Sequence, residues 1–337
     1  MSTPIKQHLR SFLFRHEAII LTYHSVLENP LPFPVWQHMT AAAFERQIAY
    51  LAEHFRCVSM STLLDDIARG EIPPYTVAVT FDDGYRNNFS QALPILRRYN
   101  VPATLFITHG FISNGRMLWP EWIICALGKS KLSELKFAGQ ILPLHTNEAR
   151  ETSYRTAARL FKQLLPDHIP AHIDALLEAA QLTRAEVETS DLGQTFTALN
   201  WDEIRQMQNS GLFEFGAHTQ NHWRLTQLNS AQARCEIVDT KALLESQIGR
   251  VDYFAYPHGN PDDYDASHRA LAIEAGYRAV FTALTHTITP QSDIFDLPRM
   301  GVGENMSDEE FIYAVQGGTA AIGDADWATR FMKLFGA

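Results

Sequence analysis

The chain has 337 residues, 46% of them hydrophobic, and 28 Lys and Arg stand against 38 Asp and Glu for a formal charge of -10. That composition holds enough apolar material for one large α/β domain or two smaller ones. The acidic balance, without any run of Lys or Arg, argues against nucleic acid or an anionic membrane as the principal partner. No run of about 20 apolar residues is present to span a bilayer. The segment Ser11-Phe12-Leu13-Phe14 is too short for a signal-peptide core, so a cytoplasmic location is expected. Cys57, Cys125 and Cys235 are widely spaced, form no CxxC pair and read as reduced core thiols.

In chain order, a β-rich run at 18–23 precedes an amphipathic helix at 42–54, a strand at 76–81, a helix at 86–98 and a strand at 103–108. Strands recur at 212–217, 252–256 and 278–282, with helices at 230–248 and 263–275 between them. The alternation predicts parallel strands joined by helical crossovers. One region breaks the rhythm: 118–199 leans helical, contains Pro166 and Pro170, has little strand character and reads as an insertion. Trp119 and Trp122 at its start are positioned to line a sugar site or to pack the insertion onto the body. The expected organisation is a body over 1–303 and a helical tail over 304–337, with two helices about a Gly317-Gly318 turn.

Four predicted strands end in groups able to do chemistry: Tyr23-His24, Asp82-Asp83, His218 with His222, and Pro257-His258-Gly259. In a parallel barrel the C-terminal strand ends form one face, which is where catalytic groups gather. Asp82 and Asp83 repel one another unless a cation, a proton or a donor network holds them, so a metal ligand beside a base is the sharp reading. An Asp-Gly turn is the plain one. The segment from His218 to His222 follows a strand and reads as a loop rather than a helical HxxxH pair. With Asp83 the two imidazoles complete a two-His, one-carboxylate set with positions left open for water and substrate. His24 is the best-placed acid for a leaving amine or alcohol, although a lone His after an apolar strand is also a common core residue.

Thr80-Phe81-Asp82-Asp83-Gly84, His218-Thr219-x-x-His222 and Phe254-Ala255-Tyr256-Pro257-His258-Gly259, in this order, resemble the polysaccharide deacetylases, the family 4 carbohydrate esterases with a NodB-homology domain. The resemblance covers about 18–302, outside the insertion. It implies an α/β fold, a distorted (β/α)7 barrel carrying the helical insertion, and removal of acetyl groups from an N-acetylated sugar or polysaccharide. It also implies a divalent metal, zinc first, with cobalt, nickel or manganese as other occupants. Asp82 becomes the general base, and Asp83, His218 and His222 the metal ligands. His258, Tyr256, Pro257 and Trp119 become substrate contacts, with the His258 N–H polarising the acetyl carbonyl.

Two departures stand out. The family's C-terminal Leu-x-His is replaced by Leu21-Thr22-Tyr23-His24 near the front, similar to circularly permuted biofilm-polysaccharide deacetylases, which makes His24 the general acid. The family's Arg-Pro-Pro-Tyr reads Ala255-Tyr256-Pro257-His258, so the Arg that orients the base is missing, and Arg299 is expected to replace it in space. Competing readings are a deformylase, O-acetyl esterase or other amidohydrolase on the same barrel, and an inactive carbohydrate-binding protein.

Overall fold

Runs such as Thr76–Phe81 and Ala103–Ile107 are buried at every residue, the mark of strands covered on both faces. The computed structural model describes residues 16–316. Its strands in chain order are β1 Ala18–Tyr23, β2 Ser25–Leu27, β3 His38–Thr40, β4 Arg56–Val58, β5 Thr76–Phe81, β6 Ala103–Ile107, β7 Glu134–Phe137, β8 Gln140–Pro143, β9 Phe213–Ala217, β10 Tyr253–Ala255, β11 Ala279–Phe281 and β12 Met300–Gly301. The main sheet runs β11-β10-β9-β6-β5-β1-β12, with β4 beside the first half of β5, and its neighbours are parallel. A parallel bridge between Phe281 and Leu297, with Thr282 N to Leu297 O at 2.9 Å, joins β11 to the segment that enters β12. The sheet therefore curls round on itself as a distorted seven-stranded barrel.

Register is what assembles the site. Tyr23 pairs with Phe81, so His24 and Asp82 leave adjacent strands side by side. Ile107 pairs with Ala217 and Phe254 with Ala217, which brings His218 and the end of β10 to the same level. Met300 pairs with Leu21, so Arg299 starts level with Ile20 and reaches up to that face from within the barrel.

The expected strands and crossovers are present, with differences that have physical causes. The helices anticipated at 86–98 and 230–248 each contain a π-helical turn, Asn88–Ala92 and Cys235–Asp239. The insertion, expected to have little strand character, contains the antiparallel hairpin β7–β8. Alternate Leu135, Phe137 and Leu142 bury one face, and Ala138 and Gly139 both take positive φ, the geometry of a tight two-residue hairpin turn. The insertion has its own apolar cluster, in which Trp122, Ile123, Ile124, Tyr154, Phe161 and Leu176 are buried together. Cys235 is exposed and so corrects the reading of all three cysteines as core thiols; Cys125 is buried and Cys57 half-buried, and none is disulfide-bonded. Of the two helices expected after Ser307, the first is Asp308–Val315, and the Gly317-Gly318 turn lies outside the described residues. No helix among the described residues is long and apolar enough to cross a membrane.

Gly216, two residues before His218, is a packing requirement. A Cβ there would lie 2.5 Å from Phe106 Cδ1 and 3.0 Å from the Tyr253 carbonyl oxygen. Phe106 in turn lies beneath the Arg299 guanidinium at 5.0 Å. Gly216→Ala is expected to destabilise the fold by about 1–3 kcal/mol through overpacking, read as a lower urea midpoint. An unchanged midpoint would contradict this packing.

Candidate active site

Asp82 and Asp83 are both buried at the end of β5, and their surroundings separate them. Asp82 receives Arg299 on both oxygens, Nη1 to Oδ1 at 2.7 Å and Nη2 to Oδ2 at 2.9 Å. Arg299 is 2% exposed, donates its Nε–H to the Thr282 carbonyl at 3.1 Å, and cannot swing away without leaving buried donors unmet. Burial pushes the Asp82 carboxyl up, but the Arg299 charge, His218 and the Arg299 hydrogen bonds outweigh it and hold the group at about 2. Asp83 has no such partner. Burial, then the charges of Asp82 and Glu121, push its carboxyl well above the usual carboxylate range. Two neighbours in sequence are thus driven in opposite directions, the pattern that assigns different tasks to paired carboxylates.

The Asp83 carboxylate faces two imidazoles. One ligand atom each from Asp83, His218 and His222 fit within 4.8 Å of one another. His222 Nε2 lies 3.3 Å and His218 Nε2 3.7 Å from Asp83 Oδ1. His218 Nδ1 is bonded to the Ala255 carbonyl at 2.8 Å, which fixes the ring and turns Nε2 toward both carboxylates, 3.7 Å from Asp83 Oδ1 and 3.8 Å from Asp82 Oδ2. Burial lowers both imidazoles, His222 well below its ordinary range, so both are neutral with lone pairs available. Asp83 Oδ1 is buried without a hydrogen-bond partner. An unmet carboxylate oxygen against two converging neutral imidazoles is a donor set that fits a divalent cation, and N/N/O donors suit zinc.

Local backbone geometry builds this arrangement. Asp83, Thr219, His222 and His258 all have positive φ without being glycine, a costly conformation that surrounding structure must enforce. The 218–222 segment is a loop, as its position after β9 predicts, and Glu236 enforces it by accepting from Gln220 N at 2.8 Å, Asn221 N at 2.9 Å and Asn221 Nδ2 at 2.6 Å. Thr219 Oγ1 accepts from the His222 N–H at 2.9 Å, while His109 and Gly110 donate to the Thr219 and Gln220 carbonyls. Asn88 donates to the His24 carbonyl at 2.7 Å and Asn87 to Ser25 Oγ at 2.8 Å, so the segment after the Asp pair pins the one that carries His24.

These groups share a cavity of about 620 Å³. His24, Asp82, Asp83, His218, His222, Tyr256, His258, Trp119 and Arg299 all line it. His24 packs edge-on against Trp36 at 5.5 Å, and its Nδ1 has no hydrogen-bond partner. Burial draws its imidazole down to about 4, against the upward pull of Asp82. His258 stands 5.0 Å from the His222 ring, and no hydrogen bond among the described residues uses its N–H. Trp119 stacks on Phe161 at 5.7 Å, whereas Trp122 turns into the insertion's core. Tyr256 stacks on Tyr264 at 4.0 Å and keeps an unpartnered hydroxyl. Pro257 is buried and does not reach the lining; its carbonyl accepts the Gly259 N–H at 2.7 Å in the turn that presents His258.

Sequence reasoning did not find Tyr85 and Glu121, a buried hydrogen-bonded pair on the lining. Burial pushes the Glu121 carboxyl up to about 7, and its second oxygen is unpartnered. Nor did it find Trp36 or the cations Arg155, Arg159 and Lys162 on the cavity wall. The one available signal was Tyr85 directly after the Asp-Asp-Gly; the others reach the cavity only through tertiary packing.

The fold and the site together define a barrel with an Asp-His-His cluster that could hold a cation and, beside it, a separately braced carboxylate. The family model for polysaccharide deacetylases matches residues 69–181 and 166–280, more than half of the chain, and the protein belongs to that family. A poly-beta-1,6-N-acetyl-D-glucosamine N-deacetylase of Staphylococcus aureus is 27% identical over 126 residues, 37% of this chain and 42% of that protein. The chain thus spans less than half the length of such curated relatives. Among solved structures, Streptococcus pyogenes deacetylase PplD in complex with acetate has a TM-score of 0.59 at 17% identity, covering 89% of this chain and 98% of that one. IcaB from Ammonifex degensii has a TM-score of 0.57 at 19% identity, covering 89% and 96%. At these identities the two structures establish the shared fold.

Arg299→Met leaves Asp82 buried without its cation and is expected to cost about 3–5 kcal/mol of stability. Adding Asp82→Asn to that variant should restore at least half of the loss in denaturant unfolding, because the charge it strands is then gone. Additive losses would mean that the two side chains do not act as a pair.

Proposed function

We propose that the protein is a metal-dependent hydrolase that removes N-acetyl groups from an N-acetylated sugar or polysaccharide. The observation that carries this reading is the division between adjacent carboxylates, Asp82 clamped by Arg299 and Asp83 left open toward His218 and His222. Family membership and the N-deacetylase activity of the Staphylococcus aureus relative support the acetamide as the bond cleaved.

Asp83, His218 and His222 would hold the cation, with zinc proposed on the donor set. When bound, such an ion polarises an acetyl carbonyl and lowers the pKa of water toward about 7, supplying the acidity that so weak a base as Asp82 needs. Asp82 accepts the proton of the attacking water. Arg299 fixes the plane of that carboxylate and keeps it ionised, while each oxygen retains a lone pair for the proton. The His258 N–H is the protein donor for the oxyanion, a contribution of roughly 3–4 kcal/mol in comparable sites. The proton that Asp82 takes from the water passes to His24, the stronger base of the two, and His24 then donates it to the departing sugar amine. The burial that keeps this imidazole neutral at rest makes its protonated form a strong acid. Tyr256, His258 and Trp119 provide contact surface for the sugar, with Pro257 shaping the turn from behind.

The test is release of acetate from chitooligosaccharides and from β-1,6-linked N-acetylglucosamine oligomers, with and without chelator. Acetate release that chelation abolishes and zinc restores is expected; formate as the product, or acetate from O-acetyl esters alone, would overturn the N-acetyl assignment. Asp82→Asn should lower kcat by at least about 100-fold, the lower end of what a positioned base contributes. Near-wild-type turnover would refute the role of Asp82.

A further inference from the structure

The cavity floor carries carboxylates, but one of its walls is cationic. The insertion's helix Asn147–Lys162 brings Arg155, Ala158, Arg159 and Lys162 to the lining shared with Asp82, Asp83, His218 and His222. Positions 155, 159 and 162 are four and three apart and lie on one helix face.

These charges are incompletely matched. Arg155 pairs with Glu151 one turn earlier. Lys162 Nζ and Arg224 Nε share the buried carboxylate of Asp263, at 3.0 and 2.9 Å, so two cations meet one anion. Arg159 is exposed and has no ion pair or hydrogen bond among the described residues. Counting Arg224, which lies behind the wall rather than on the lining, Arg159 and the Lys162-Arg224-Asp263 group together carry two uncompensated positive charges in a chain whose net charge is -10. Asp82, Asp83 and Glu121 are the carboxylates on the lining, and all three are buried. Asp82 is neutralised by Arg299, and Asp83 faces the cation centre. Nothing on the lining is left to satisfy Arg159.

A neutral polysaccharide would leave that charge unused, and a single carboxylate would match half of it. A phosphate dianion or a diphosphate matches both charges and suits the planar guanidinium fork. The geometry allows one ligand to meet floor and wall together. Trp119 stands between them, 6.1 Å from His258 and stacked on Phe161, the residue before Lys162, and so offers a platform for a sugar ring.

We propose that the substrate is an N-acetylated sugar bearing a phosphate or diphosphate group, held by Arg159 and the Lys162 side of the insertion helix while its acetamide lies on the floor. The acetamide half of this rests on the deacetylase reading; the phosphate half rests on the wall. The test is calorimetric titration of the zinc-loaded protein with N-acetylglucosamine 1-phosphate, N-acetylglucosamine and N-acetylmuramic acid.

The phosphorylated sugar is expected to bind at least about tenfold more tightly than the neutral one, an advantage that weakens at high salt. Arg159→Ala should remove most of the advantage without changing affinity for the neutral sugar, and Arg159→Lys should keep part of it. Equal affinities, an advantage that survives Arg159→Ala, or equally tight binding of the carboxylated sugar would overturn the proposal. Binding is read without turnover, so phosphate-dependent binding without acetate release would count against the deacetylase reading alone.

Discussion

The buried ion pair between Asp82 and Arg299 is the constraint on which the rest of the site depends. Two carboxylates in succession at a strand end are mutually destabilising, and burial increases the penalty. By neutralising one, Arg299 leaves the other as the carboxyl without a cationic side chain, facing His218 and His222. Fixing the plane of Asp82 also fixes where a proton can be accepted. Because Arg299 enters from β12 and Asp82 ends β5, the pair also ties together two strands on either side of β1.

Geometry is purchased locally with strained backbone and then held by buried polar groups. The positive φ of Asp83, Thr219, His222 and His258 turns side chains inward where an extended chain would carry them past. Glu236, on a π-helical turn, supplies the hydrogen bonds that keep the 219–222 conformation, and Asn88, on another, pins the His24 carbonyl. Such turns inside helices recur at functional sites, since the extra residue re-aims a side chain that a regular helix would point elsewhere.

Much of the barrel was legible in the sequence because its strands are short, fully apolar and terminated by polar groups. Thr76 to Phe81 announces a buried parallel strand, and its end announces chemistry. The three-residue strands β2, β3 and β4 were not legible, since so few residues leave no period to read. The hairpin in the insertion was hidden by helical neighbours, although Ala138-Gly139 is a turn signal in hindsight. The partnership of Arg299 with Asp82 was reached only by noticing an expected Arg missing after β10; separation by 217 positions leaves no local trace. Glu236, Tyr85 with Glu121 and the Arg159 wall depend on how elements pack, and no spacing rule points to them.

The insertion shares the barrel's cavity while maintaining its own core, so it can vary in charge without disturbing the floor. The cavity is thereby lined by two parts of the chain, the barrel's strand ends and the insertion's helix. The central claim, that Asp83 serves the cation and Asp82 the proton, is tested most directly by titrating zinc into metal-free wild type, Asp82→Asn and Asp83→Asn. The account predicts wild-type stoichiometry with affinity within about tenfold for Asp82→Asn, and a loss of at least about 100-fold for Asp83→Asn. Equal losses in the two variants, or a larger loss in Asp82→Asn, would contradict it.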